Sequence, residues 1–137
     1  MRRALPPHVC GEQVRVALLE ARPATLSTKH LVAATNNLSV YQVKRGLIYV
    51  REHLAAQYGT PLIYVPGQGF LITEDPADVV PFAQRQFKTE YTRFKRLLTG
   101  TIDPFFACHP TDDWGRRVRD MLAGSKTTME NLSDLEP

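Results

Sequence analysis

The sequence predicts a mainly α-helical chain with one small β-hairpin, and three stretches carry that expectation. Ser39 followed three residues later by Gln42 is a capping-box pattern, and Val43, Leu47, Val50 and Leu54 then recur at helical steps to give one apolar stripe. Leu62-Ile63-Tyr64-Val65 and Phe70-Leu71-Ile72-Thr73 are β-rich runs around the turn Pro66-Gly67-Gln68-Gly69, a hairpin signal. From Asp75-Pro76 to Leu98 the helical period returns, with Val80, Ala83, Phe87, Tyr91, Phe94 and Leu98 on one stripe.

Along the chain, a first helix is expected over Val9–Ala21, where Val14, Ala17, Leu18 and Ala21 share a face before Pro23 ends it. A second begins after Ser27 or Thr28, either of which can cap it, and runs through Leu31, Val32 and Ala34 to Thr35. Asn36-Asn37 breaks it, because asparagine tolerates a positive φ better than most residues. The third helix starts at Ser39 and stops at Gly59. The long fourth helix has Asp75 as N-cap and Pro76 at its first position, tolerates Pro81 in its early turns, and stops at Gly100. Asp103-Pro104 opens an irregular stretch, Trp114–Leu122 forms a short helix, and disorder is expected from Ser125. The resulting division is 1–75 for the first domain, 76–100 for the long helix, 101–124 for a short extension and 125–137 for a tail.

Bulk properties narrow the function classes. At 43% hydrophobic and 23% charged residues, composition is that of a folded water-exposed domain. No apolar run approaches the roughly 18 residues of a membrane span. After Met1-Arg2-Arg3, Pro6, Pro7 and His8 stand where a signal peptide would need apolar residues, so a cytoplasmic location is expected. The net charge of +3 is unevenly spread: residues 1–100 carry +6 and residues 101–137 carry −3. A basic body with an acidic tail suits a protein that meets a polyanion, although scatter in a short chain gives the same picture.

The order helix, helix, tight turn, helix, hairpin resembles the winged helix-turn-helix, here followed by a long C-terminal helix. The resemblance covers Val9–Thr73 and is most specific in Val32-Ala33, Asn37-Leu38-Ser39, Val43 and Leu47, which look like the pattern of bacterial and phage transcription regulators. Pro66-Gly67-Gln68-Gly69-Phe70 resembles the wing of such domains, including GntR-like repressors, and Thr25–Ile72 also looks like the actinobacterial RacP-like proteins. Two departures stand out: Asn37 replaces the usual turn glycine, and the recognition helix runs long before the hairpin. The resemblance implies a sequence-specific double-stranded DNA-binding regulator with the third helix in the major groove.

With Val43, Leu47, Val50 and Leu54 turned inward, the third helix presents Val40, Tyr41, Gln42, Lys44 and Arg45 outward. Gln42 can read adenine, Arg45 guanine, and Val40 or Tyr41 a thymine methyl. Thr28, Lys29, His30, Ser39, Tyr49 and Arg51 are placed to meet phosphates, and Gly67, Gln68 and Gly69 form the wing. The stripe Val80, Ala83, Phe87, Tyr91, Phe94 and Leu98 is expected to pair two subunits in a homodimer, unless it folds back on the chain's own core. The rival class is a winged-helix assembly module without DNA, since residues 25–75 carry a net charge of only +1.

His8, Cys10, Cys108 and His109 include a zinc-competent residue set, but their spacing is not that of a structural site, so no metal and no cofactor are expected. Asp112-Asp113 reads as a helix cap, and Trp114, with Phe105 and Phe106, as docked on the domain. No phosphate loop, nucleophile elbow or paired-carboxylate set is present, and no enzyme activity is expected.

Overall fold

The computed structural model describes residues 4–136 and divides between Val79 and Val80 into two units. That boundary lies one turn inside the long helix rather than at its start.

In the first unit, α1 (Pro7–Ala21) begins two residues earlier than its apolar period suggests, with Pro7 in its first turn. Then come α2 (Thr28–Ala34), α3 (Val40–Tyr49), a π-helical turn (Val50–Leu54) and α4 (Ala55–Tyr58). Ser27 rather than Thr28 caps α2: its hydroxyl oxygen accepts the His30 N–H at 3.2 Å. Asn37 takes φ +58° in the turn, the conformation a glycine usually supplies. The capping box forms in full. Ser39 Oγ accepts the Gln42 N–H at 3.1 Å, and Gln42 Oε1 accepts the Ser39 N–H at 2.9 Å. At the other end Gly59, at φ +63°, stops the helix in the left-handed conformation.

The apolar stripe of α3 and its continuation is fully committed. Val43, Leu47, Val50 and Leu54 join Cys10, Val14, Ala17, Leu18, Leu31, Leu38 and Ile72 in one buried cluster. The α1–α3 crossing is close because two glycines meet it. A Cβ on Gly46 would lie 2.7 Å from the Cys10 carbonyl oxygen, and one on Gly11 would lie 2.6 Å from Tyr49 Cδ1. Arg15 clamps the far end of the helix to α1, its guanidinium 3.6 Å above the Tyr58 ring centroid.

Strands β1 (Leu62–Val65) and β2 (Gly69–Ile72) pair antiparallel, with Ile63 opposite Leu71 and Val65 opposite Gly69. The Gln68 N–H donates to the Val65 carbonyl across a turn that places Pro66 second and Gly67, at φ +75°, third, which is type II geometry. Leu26 adds a one-residue third strand. Its N–H donates to the Phe70 carbonyl at 2.9 Å, and the Phe70 N–H donates back at 2.8 Å. The described residues are thus mainly helical, with a two-strand antiparallel hairpin and a long C-terminal helix.

Asp75 caps α5 (Pro76–Leu97) by accepting the Ala77 N–H at 2.9 Å. The helix does not stop at Gly100. It widens into a π-helical turn (Leu98–Ile102) and continues as α6 (Asp103–Cys108), where an irregular stretch was expected. Leu98 and Ile102, one turn apart and both buried, keep this segment helical, and Gly100 never adopts a positive φ. Asp112 caps α7 through the Gly115 N–H at 2.7 Å, as the acidic pair suggested, and Asp113 pairs with Arg116 and Arg117. Helix α7 spans Asp113–Ser133, well past Leu122 and through the segment expected to be disordered. Its row Val118, Leu122, Met129 and Leu132 is half-buried, and Gln84 of α5 donates to the Leu135 carbonyl, so α7 returns alongside α5. A packing partner outweighs the polar composition of this tail. Trp114, expected to be docked, is 60% exposed and touches Phe105 only edge-on.

Candidate nucleic-acid interface

The cap and the stripe together fix which way α3 faces. With Val43, Gly46, Leu47 and Val50 buried, the opposite face is centred on Tyr41, Lys44, Arg45 and Ile48. Tyr41 is 67% exposed and Ile48 52%. The Arg45 guanidinium sits 5.6 Å from the Tyr41 ring centroid, within cation–π range. Val40, at 51% exposure, and Arg51 flank this face on one side. An open hollow lined by Leu5, Ser39, Tyr41, Gln42 and Arg45 flanks it on the other.

Several expected roles change. Gln42 is half-buried at the edge of the face, and one lone pair of its carbonyl oxygen accepts the Ser39 N–H, which leaves the second lone pair and the amide Nε2 donor. Ser39 likewise has its N–H and one oxygen lone pair engaged in the cap, leaving the hydroxyl proton to give. Tyr49, expected at a phosphate, is half-buried and lines an open hollow with Arg45, Ile48 and Glu52. It packs into the groove over Gly11 and against His53, ring centroids 4.6 Å apart, and is half-buried on the core. Ile48 belongs to the exposed face, four residues after Lys44 and seven after Tyr41, and the same wheel places Glu52 there. Helical arithmetic locates both; their residue types, one apolar and one acidic, drew attention away from them.

Lys29 and His30 are exposed on α2, and Thr28 is half-buried. Ser27, Thr28 and Lys29 share an open hollow with Tyr64, Gly67, Gln68 and Gly69, so the first turn of α2 and the wing tip lie side by side. The Leu26–Phe70 bridge causes this juxtaposition, and Gly69 permits it: at φ +136°, a Cβ there would lie 2.5 Å from the Leu26 carbonyl. Residues 61–73 contain no charged side chain, so Gln68 and Tyr64 supply what polar chemistry the wing tip has. Tyr64 packs edge-on to Phe70 at 5.0 Å.

The expected dimer stripe is half-buried at Val80, Ala83, Phe87, Tyr91 and Phe94 and buried at Leu98. Part of that burial has an intrachain cause, the return of α7. Cys10 sits in the core and Cys108 is exposed at the end of α6. Among the described residues no three His, Cys, Asp or Glu side chains gather in a metal-competent cluster. Nor is any described helix long and apolar enough to cross a membrane.

Comparison with family models, curated proteins and solved structures returns no match, so the functional reading rests on the geometry itself.

Proposed function

We propose that this chain is a sequence-selective double-stranded DNA-binding protein, acting as a transcriptional regulator in the cytoplasm with α3 in the major groove. One observation carries the reading. The inner face of α3 is wholly spent on the core, while the outer face holds Tyr41, Lys44 and Ile48 exposed, with Arg45 half-buried beside Tyr41, on a helix whose start is fixed by a two-bond cap. Rigid presentation of such a face is what direct readout needs. Arg45 reads guanine O6 and N7, Tyr41, Val40 and Ile48 meet thymine methyls, and Lys44 and Arg51 neutralise phosphates. Lys29, His30 and Thr28 approach the backbone beside the wing, and Gln68 reaches toward the minor groove. A homodimer through unit two is part of the proposal, built on the apolar surface that Phe87, Tyr91 and Phe94 keep beyond what α7 covers.

A second reading, a winged-helix assembly module, is favoured by the uncharged hairpin and by Val40, Tyr41 and Ile48 together on one exposed face. Fluorescence anisotropy on random-sequence duplex DNA over a salt series separates the two. The DNA reading expects steep loss of affinity with salt, and Lys44→Ala with Arg45→Ala flattening the log–log slope by about two. Identical slopes in variant and wild type would remove α3 from the interface.

A further inference from the structure

We infer that α5 carries a second phosphate-binding face, which docks the duplex backbone independently of sequence; this rests on the DNA reading of the chain. Arg85, Lys88, Lys95 and Arg96 are exposed and fall within one sector of α5, the sector opposite the half-buried Ala83, Phe87, Tyr91 and Phe94. Thr89 and Thr92 between them, and Thr99 just beyond, are short side chains whose hydroxyls donate to the carbonyls of Arg85, Lys88 and Lys95 at 2.9–3.0 Å. Nothing bulky separates the cations from an approaching phosphate.

Three arginines of α7 have carboxylate partners. On α7, Arg116 and Arg117 pair with Asp113, and Arg119 reaches Asp103 while covering the Phe106 ring. On α5 the carboxylate Glu90 engages Arg93, off the stripe. Among the described residues no ion pair is formed by Lys88, Lys95 or Arg96. From Arg85 to Arg96 the stripe is about 17 Å long, a length over which duplex DNA presents about ten phosphate charges. A lipid surface fits less well, because the sector holds threonines where a membrane-lying helix needs apolar residues to insert.

The test uses the full chain with Lys88→Gln, Lys95→Gln and Arg96→Gln combined, on labelled random-sequence duplex DNA over a salt series. Glutamine keeps helix propensity, and unchanged circular dichroism verifies the fold. The expected result is a log–log salt slope shallower by about two to three, equal for every duplex sequence, and a wild-type slope in the charge-keeping variant Lys88→Arg with Lys95→Arg. A triple variant with wild-type slope, or a wild type that binds no duplex, overturns the inference. So does a triple variant that loses only binding to phosphatidylserine vesicles, or only a stronger binding to duplex RNA. If the α5 triple flattens the slope and Lys44→Ala with Arg45→Ala does not, the α3 reading fails and the α5 face stands. The reverse pattern sinks the α5 face alone.

Discussion

The two glycines of the Pro66-Gly67-Gln68-Gly69 turn look equivalent in the sequence, and the structure predicts that replacing them has very different consequences. Gly67 sits at φ +75° with open space where a Cβ would go, so Gly67→Ala meets only the left-handed penalty, about 1–2 kcal/mol. Gly69 sits at φ +136°, and its added Cβ would lie 2.5 Å from Leu26 C and O and 2.6 Å from Ser27 N. None of these is a flexible side-chain end, so the backbone itself has to part. The conformational strain is about 1–3 kcal/mol. Separation also breaks the two Leu26–Phe70 hydrogen bonds, of 2.9 and 2.8 Å, at about 1 kcal/mol each. Gly69→Ala is therefore expected to cost about 3–5 kcal/mol, a large part of a typical domain's stability of about 5–15 kcal/mol. Urea denaturation followed by far-UV circular dichroism measures both variants, and hydrogen exchange at the Phe70 amide reports the bridge directly. Equal midpoints for the two variants, or a Phe70 amide still protected in Gly69→Ala, would refute the reasoning.

Other substitutions test separate links. Gly46→Ala should destabilise by about 1–3 kcal/mol although alanine is the better helix former by about 1 kcal/mol, because the Cβ meets the Cys10 carbonyl at 2.7 Å; a raised melting temperature would contradict this. Ser39→Ala should lower stability by about 1 kcal/mol, and adding Gln42→Ala should cost less than the two single losses together, since both residues serve one cap. Ile48→Glu, at an exposed position, should leave the denaturation midpoint within about 0.5 kcal/mol of wild type while weakening duplex binding; unimpaired anisotropy titrations would place Ile48 outside the interface. Phe87→Asp with Phe94→Asp should convert a dimer to monomers by light scattering, and a wild type already monomeric at high concentration would end the dimer proposal.

Much of the fold was legible because its signals are local. A cap needs only residues two or three apart, so Ser39–Gln42, Asp75 and Asp112 are visible in the sequence, as is the stripe Val43, Leu47, Val50 and Leu54 that turns α3 inward. The type II turn at Pro66-Gly67 and the left-handed Asn37 and Gly59 follow from backbone sterics that no distant residue alters. What the sequence by itself determined is therefore where the capped helices α3, α5 and α7 start, which face of α3 is hidden, and where the hairpin turns. Tertiary structure decided whatever depends on which segment comes near. Leu26 became a strand only because Phe70 lies opposite it, and that approach makes Gly69 irreplaceable where Gly67 is not. Gly11 opposite Tyr49 let that side chain pack against α1, a contact that helical period alone does not show. The return of α7 made a helix of the presumed tail and gave the α5 stripe a neighbour within its own chain. Each of these turns on a contact between residues far apart in sequence, and no periodicity along a single segment encodes such a contact.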